Sequence, residues 1–105
     1  MANKDVREFG QKTIRQADMI ADYYYQRDGR AGELLPRVLK QLILYTQLLE
    51  QAGESITDYA EQMRDWGGTL GKLTNAAGSN DEILTADILH HEVIPALNRW
   101  VETSG

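Results

Sequence analysis

The chain has 105 residues, 42% of them apolar, enough for one modest hydrophobic core and too few for two. Sixteen acidic residues against eleven basic ones leave a formal charge of −5, which repels a phosphate backbone and argues against nucleic acid as a partner. The lack of cysteine excludes disulfide frameworks, thiolate metal sites and cysteine nucleophiles, and fits a reducing compartment.

The opening Met1-Ala2-Asn3-Lys4-Asp5 is charged where a secretory peptide is apolar, and no later stretch approaches the roughly 20 apolar residues that span a bilayer. A cytoplasmic protein without membrane contact is therefore expected. Turn-forming clusters at 27–32, 52–55 and 77–80 cut the chain into four pieces of helical length and leave little for strands. The predicted fold is all-α: a single-domain, antiparallel four-helix bundle over residues 1–105, up-down-up-down, with helices roughly at 4–26, 31–51, 56–77 and 81–103.

In the first piece Val6, Phe9, Thr13, Ala17, Ile20 and Tyr24 recur at spacings of three and four, one stripe of an amphipathic helix. The second piece places Leu35, Val38, Leu42, Tyr45, Leu49 and Ala52 on a bundle-like seam, which Leu34, Leu39, Ile43 and Leu48 widen. That breadth predicts the most buried helix. Pro36 lacks an amide donor, so regular helix is expected to begin near Leu35 or after a looser turn.

The third piece keeps Ile56, Tyr59, Met63, Trp66, Leu70, Leu73 and Ala77 on one stripe, so the second and third helices are expected to supply most of the core. Ser55 and Asp58 have capping-box spacing. Gly67 falls on this stripe and predicts either a close helix approach or a kink. In the fourth piece Ser79 and Glu82 also have capping-box spacing, and Ala86, Leu89, Val93, Ala96 or Leu97, and Trp100 form the stripe. Pro95 predicts a bend of this last helix. Residues 81–105 hold five carboxylates against one arginine, so the acidity is concentrated there.

Chemistry-bearing residues gather at Asp87, His90, His91 and Glu92, a carboxylate and imidazole set of the kind transition metals bind. Only two histidines exist, which excludes a dinuclear carboxylate site and the several-histidine iron site of hemerythrin-like domains. Adjacent histidines diverge by about 100° on a helix, so the expected reading is a partly buried His90 hydrogen-bonded by Asp87. A metal- or small-ligand-binding bundle using Asp87, His90, His91 and Glu92 is the alternative. Gly67-Gly-Thr-Leu-Gly-Lys72 lacks the first glycine, the Ser or Thr after lysine and the preceding strand of a phosphate loop. No catalytic constellation is recognisable; the chain is expected not to be an enzyme and to need no cofactor.

Tyr23-Tyr24-Tyr25 covers about 200° of a helix, so Tyr23 and Tyr25 flank Tyr24 at the rim of the core or at a partner contact. Leu44 projects opposite Leu35 and Leu42, beside Arg37, Lys40 and Gln51, and together with Leu48 forms a candidate interface strip. The expected function is a non-catalytic protein–protein interaction module, an adaptor, regulator or chaperone-like protein, whose partner is another protein or itself, possible homodimer included. In size and composition the chain is similar to the small acidic helical chaperones of bacterial export systems, a likeness that no motif carries.

Overall fold

A computed structural model describes residues 2–51 and 58–104, with side chains over 5–51 and 58–102. The helices are α1, Ala2–Tyr25; α2, Arg30–Gln51; α3, Tyr59–Gly78; α4, Glu82–Ile88; and α5, Ile94–Ser104, with a π-helical turn, Leu89–Val93, joining α4 to α5. Helix α4, the π turn and α5 form one continuous C-terminal run. No strand occurs among the described residues, and the fold is an all-α bundle of four helical segments. The break at 52–55, Ala52, Ile56 and the Ser55 half of the expected capping box lie outside the described residues.

The seams of the bundle meet in opposing chain order. Against the C-terminal run, Gly10 of α1 lies beside Val101 and Tyr25 beside Asp87. Similarly, Tyr59 of α3 meets Trp100 and Lys72 meets Glu92. Between α1 and α2, Phe9 stacks with Tyr45 while Tyr23 meets Arg30 across the turn.

The predicted stripes of α1 and of the C-terminal run are buried except for Phe9, which is half-buried: Val6, Thr13, Ala17, Ile20 and Tyr24 on α1, and Ala86, Leu89, Val93, Ala96, Leu97 and Trp100 on the run that packs against it. The weight of the core nevertheless differs from expectation. Helix α1 packs against α2, α4, the π turn and α5, whereas α3 packs mainly on α4 and buries only Trp66, Leu73 and Ala76 fully. A helix with neighbours on two sides buries a broad face; one at the margin leaves Tyr59, Met63 and Leu70 half-covered. Helix α2 is not buried all round either, since Ile43 and Leu44 are exposed.

Closest approach occurs at Gly10, not Gly67. A methyl group on Gly10 would stand 2.7 Å from Val101 Cγ2 and 2.9 Å from the Tyr45 hydroxyl, so the missing side chain lets α1, α2 and α5 meet. Gly67 is exposed; a methyl group there would meet nothing within 4 Å, and α3 runs through it unbroken.

Helix ends also differ from the predicted ones. Asp81, rather than Ser79, caps α4 by accepting the Leu84 N–H at 3.1 Å, while the Ser79 hydroxyl donates to the Asn75 carbonyl of α3. Asp58 precedes α3 with φ of 54° and makes no side-chain cap. Helix α2 starts at Arg30, so Pro36 sits inside it; the carbonyl deprived of a donor is that of Gly32, an exposed residue within reach of water. Near Pro95 regular α-helix gives way to the π turn, in which the Ile94 N–H donates to the Leu89 carbonyl. This widening precedes the proline ring and loosens the turn its i−4 carbonyl belongs to.

Candidate interaction surface

Outward apolar residues on α2 follow from its own period. Leu42 belongs to the buried seam, so Ile43 and Leu44 are rotated by about 100° and 200° from the core direction. Ile43 is 57% exposed and Leu44 42%. Ile43 thus leaves the widened seam to which its spacing assigned it, while Leu39 and Leu48 lie half-buried on the shoulders. Arg37, Lys40, Gln47 and Glu50 complete the exposed face. Neither Arg37 nor Glu50 enters an ion pair among the described residues.

The tyrosine run divides as its geometry requires. Tyr24 is buried, and burial together with the Glu82 charge raises its pKa. Tyr23 is half-buried under the Arg30 guanidinium, 4.4 Å from the ring centroid, and Arg30 is held in turn by Asp28 at 2.6 Å. The hydrogen bonds from Arg30 keep the Asp28 carboxyl below its ordinary pKa. Tyr25 is exposed, and its hydroxyl donates to Asp87 Oδ1 at 2.6 Å. That hydrogen bond, then desolvation, then the charges of Asp87 and Asp22, push its pKa up to about 12. Tyr23 and Tyr25 are both engaged at the rim of the core.

The Asp87, His90, His91 and Glu92 set is dispersed among other contacts. Asp87 takes the Tyr25 hydroxyl, and Glu92 pairs with Lys72 at 3.0 Å. His90 is exposed and has no hydrogen bond to Asp87; Leu89 and Val93 occupy the core positions of the π turn and turn both imidazoles outward. The two rings lie 4.7 Å apart edge to face, with Tyr25 6.3 Å from His90. Among the described residues no group of three or more His, Asp or Glu converges as metal ligands.

A shallow hollow of about 500 Å³ between α3 and α4 has Ala76, Leu84 and Ile88 on its apolar side. Four of its polar side chains are already engaged. Lys72 pairs with Glu92, Asp81 caps α4 and Ser79 bonds the α3 carbonyl of Asn75. The Thr46 hydroxyl, which sequence reasoning did not single out, links two helices by accepting the Trp66 indole N–H. A threonine next to the buried seam was its only sequence signal.

A family model described as Domain of unknown function (DUF8042) matches residues 4–103. The chain belongs to the DUF8042 family. No curated protein and no solved structure matches it. The DUF8042 match extends across all four helical segments, so the α2 face, the tyrosine run and the histidine pair all fall within the family domain. No described helix of this DUF8042 chain is long and apolar enough to cross a membrane.

Proposed function

We propose that this DUF8042 protein is a non-catalytic interaction module, an adaptor, regulator or chaperone-like protein of the cytoplasm, that binds a polypeptide through the outer face of α2. The supporting observation is the adjacent exposure of Ile43 and Leu44 between the half-buried Leu39 and Leu48. Ile43 and Leu44 project on either side of the exposed Lys40 and Gln47, with Leu39 and Leu48 at the two edges of the face, and exposed aliphatic side chains of this kind are available for contact with another polypeptide. The alternative, a metal or small-ligand site at Asp87, His90, His91 and Glu92, has less support, because the two carboxylates are engaged by Tyr25 and Lys72.

The test compares wild type with Ile43→Glu/Leu44→Glu by pull-down from extract of the source cells and by sedimentation of the purified chain. A bound polypeptide, whether another protein or a second copy, should be lost in the double variant while thermal unfolding stays unchanged. Identical binding and sedimentation for both chains overturns the reading. A stoichiometric metal in untagged protein, lost on His90→Ala, favours the alternative instead.

A further inference from the structure

We infer that a cavity at one end of the bundle binds a small zwitterion of the α-amino-acid class, with Arg27 and Asn80 taking its carboxylate and Glu82 and the Tyr24 hydroxyl its ammonium group. This site is separate from the outer face of α2 and does not depend on the reading of that face.

The cavity lies where the turn after α1 and the turn after α3 come together, and it measures about 160 Å³. A space of about 150 Å³ takes a six-carbon ring, so a ligand of about six non-hydrogen atoms fits.

Tyr24 lines this cavity and is only 8% exposed, yet its hydroxyl makes no hydrogen bond to any described residue. Nor is that oxygen sealed inside the core, as the Gln41 side-chain oxygen is. A hydroxyl held this deep without a partner is costly, so a polar group entering the cavity gains by meeting it. Burial, and after it the Glu82 charge, raises the Tyr24 pKa. The phenol therefore stays neutral, and its oxygen can accept from an ammonium group that Glu82 attracts.

The charges around the cavity are opposite and uncommitted. Neither Arg27 nor Glu82 enters an ion pair among the described residues, and the Asn80 side chain makes no hydrogen bond there. Asp28, which also lines the cavity, is taken by Arg30 at 2.6 Å. A simple cation would meet Arg27 and a simple anion would meet Glu82, whereas a zwitterion satisfies both. The Arg27 guanidinium suits a carboxylate because its fork can donate two parallel hydrogen bonds.

The backbone supports the same assignment. Arg27 and Asn80 stand on the two turns, both in the left-handed region with φ of 57° and 55°. Glycine would take this conformation at lower cost but would bring no guanidinium or amide to the cavity.

The full chain is titrated with glycine, L-alanine and L-serine and followed by its amide NMR spectrum. Saturable shifts at Asp28, Gly29 and Asp81 are expected, with Kd on the order of 0.1–1 mM for so small a ligand. Acetate and methylamine, each carrying one of the two charges, should bind at least about tenfold more weakly than glycine. Arg27→Gly, Glu82→Gln and Tyr24→Phe should each weaken glycine binding about tenfold. Arg27→Gly relieves the backbone and Tyr24→Phe removes a hydroxyl without a partner in the chain, so thermal unfolding should show neither variant less stable than wild type. Their loss of binding then reports the site and not the fold. No saturation by any of the three amino acids up to about 20 mM, acetate or methylamine binding as tightly as glycine, or unchanged affinity in any of the three variants overturns the inference. None of these results bears on the α2 face, whose partner is read with Ile43→Glu/Leu44→Glu.

Discussion

The Trp66 indole N–H donates to the Thr46 hydroxyl at 2.8 Å, and that hydroxyl donates onward to the Leu42 carbonyl at 2.7 Å. Trp66 is only 1% exposed, so its single polar hydrogen needs an acceptor supplied by the protein. Thr46 provides it from α2 and ties α3 to its neighbour. Thr46→Val keeps the shape and removes the acceptor, and should destabilise the fold by about 1–3 kcal/mol. Thr46→Ser, which keeps the hydroxyl, should lose less than half as much. Urea unfolding followed by tryptophan fluorescence checks both; equal midpoints for wild type and Thr46→Val would show that the bond contributes nothing.

Gly10 and Gly67 make opposite predictions. Gly10→Ala drives a methyl group into Val101 and Tyr45, and the overpacking should cost about 1–3 kcal/mol. Gly67→Ala meets nothing and replaces a poor helix former on an exposed surface, a gain of up to about 1 kcal/mol. Thermal unfolding of the two variants should therefore move in opposite directions. A stabilised Gly10→Ala would mean that α1, α2 and α5 do not meet as closely as described.

Local periodicity made the helices and most of the core readable. Leu35, Val38, Leu42, Tyr45 and Leu49 repeat every three or four residues, and all five are buried. What escaped depends on distant atoms or on departures from the α-helical period. Ile43 belongs by spacing to a wide apolar face, yet spacing does not reveal whether a neighbour covers that face. His90 points outward because of a π turn that a uniform helical wheel does not contain. Leu44 was legible as an outward residue, since it falls between seam positions, whereas Leu48, expected beside it in the same strip, lies half-buried against the core. The Gly10 contact and the Thr46 acceptor arise only when separate helices are brought together.

Both described interhelical turns place a non-glycine residue in the left-handed region. Arg27 has φ of 57° and Asn80 55°, while no described glycine has a positive φ. Each closes a helix with the paired bonds of a Schellman motif. The Arg27 and Asp28 N–H groups donate to the Tyr24 and Tyr23 carbonyls, and the Asn80 and Asp81 N–H groups to those of Ala77 and Ala76. Arg27→Gly should stabilise the chain by about 0.5–1 kcal/mol, and Asn80→Gly by less, because asparagine tolerates this conformation better than arginine. Gly29→Ala should also stabilise, by about 0.4–1 kcal/mol, since its backbone is not left-handed and its surroundings are open. Denaturant midpoints of the three variants test the assignment; a destabilised Arg27→Gly would contradict it.

The bond from Tyr25 to Asp87 should make a small part of the stability dependent on alkaline pH. Only the neutral phenol can donate to the carboxylate, and ionisation would set a phenolate against Asp87 and Asp22, which is why the folded-state pKa is raised to about 12. The unfolded tyrosine ionises near its ordinary value of about 10. Because the folded value is the higher one, the contribution is fully present below about pH 10 and disappears as the pH rises through about 12. Tyr25 is 41% exposed, so solvent screening limits the effect to about 0.5 kcal/mol or less at neutral pH. Titration of tyrosinate absorbance in folded protein should show a late-ionising group that Tyr25→Phe removes and Asp87→Asn shifts back towards the ordinary value. If Tyr25→Phe leaves the alkaline titration unchanged apart from losing one ordinary tyrosine, the tether from α1 to α4 does not form in solution.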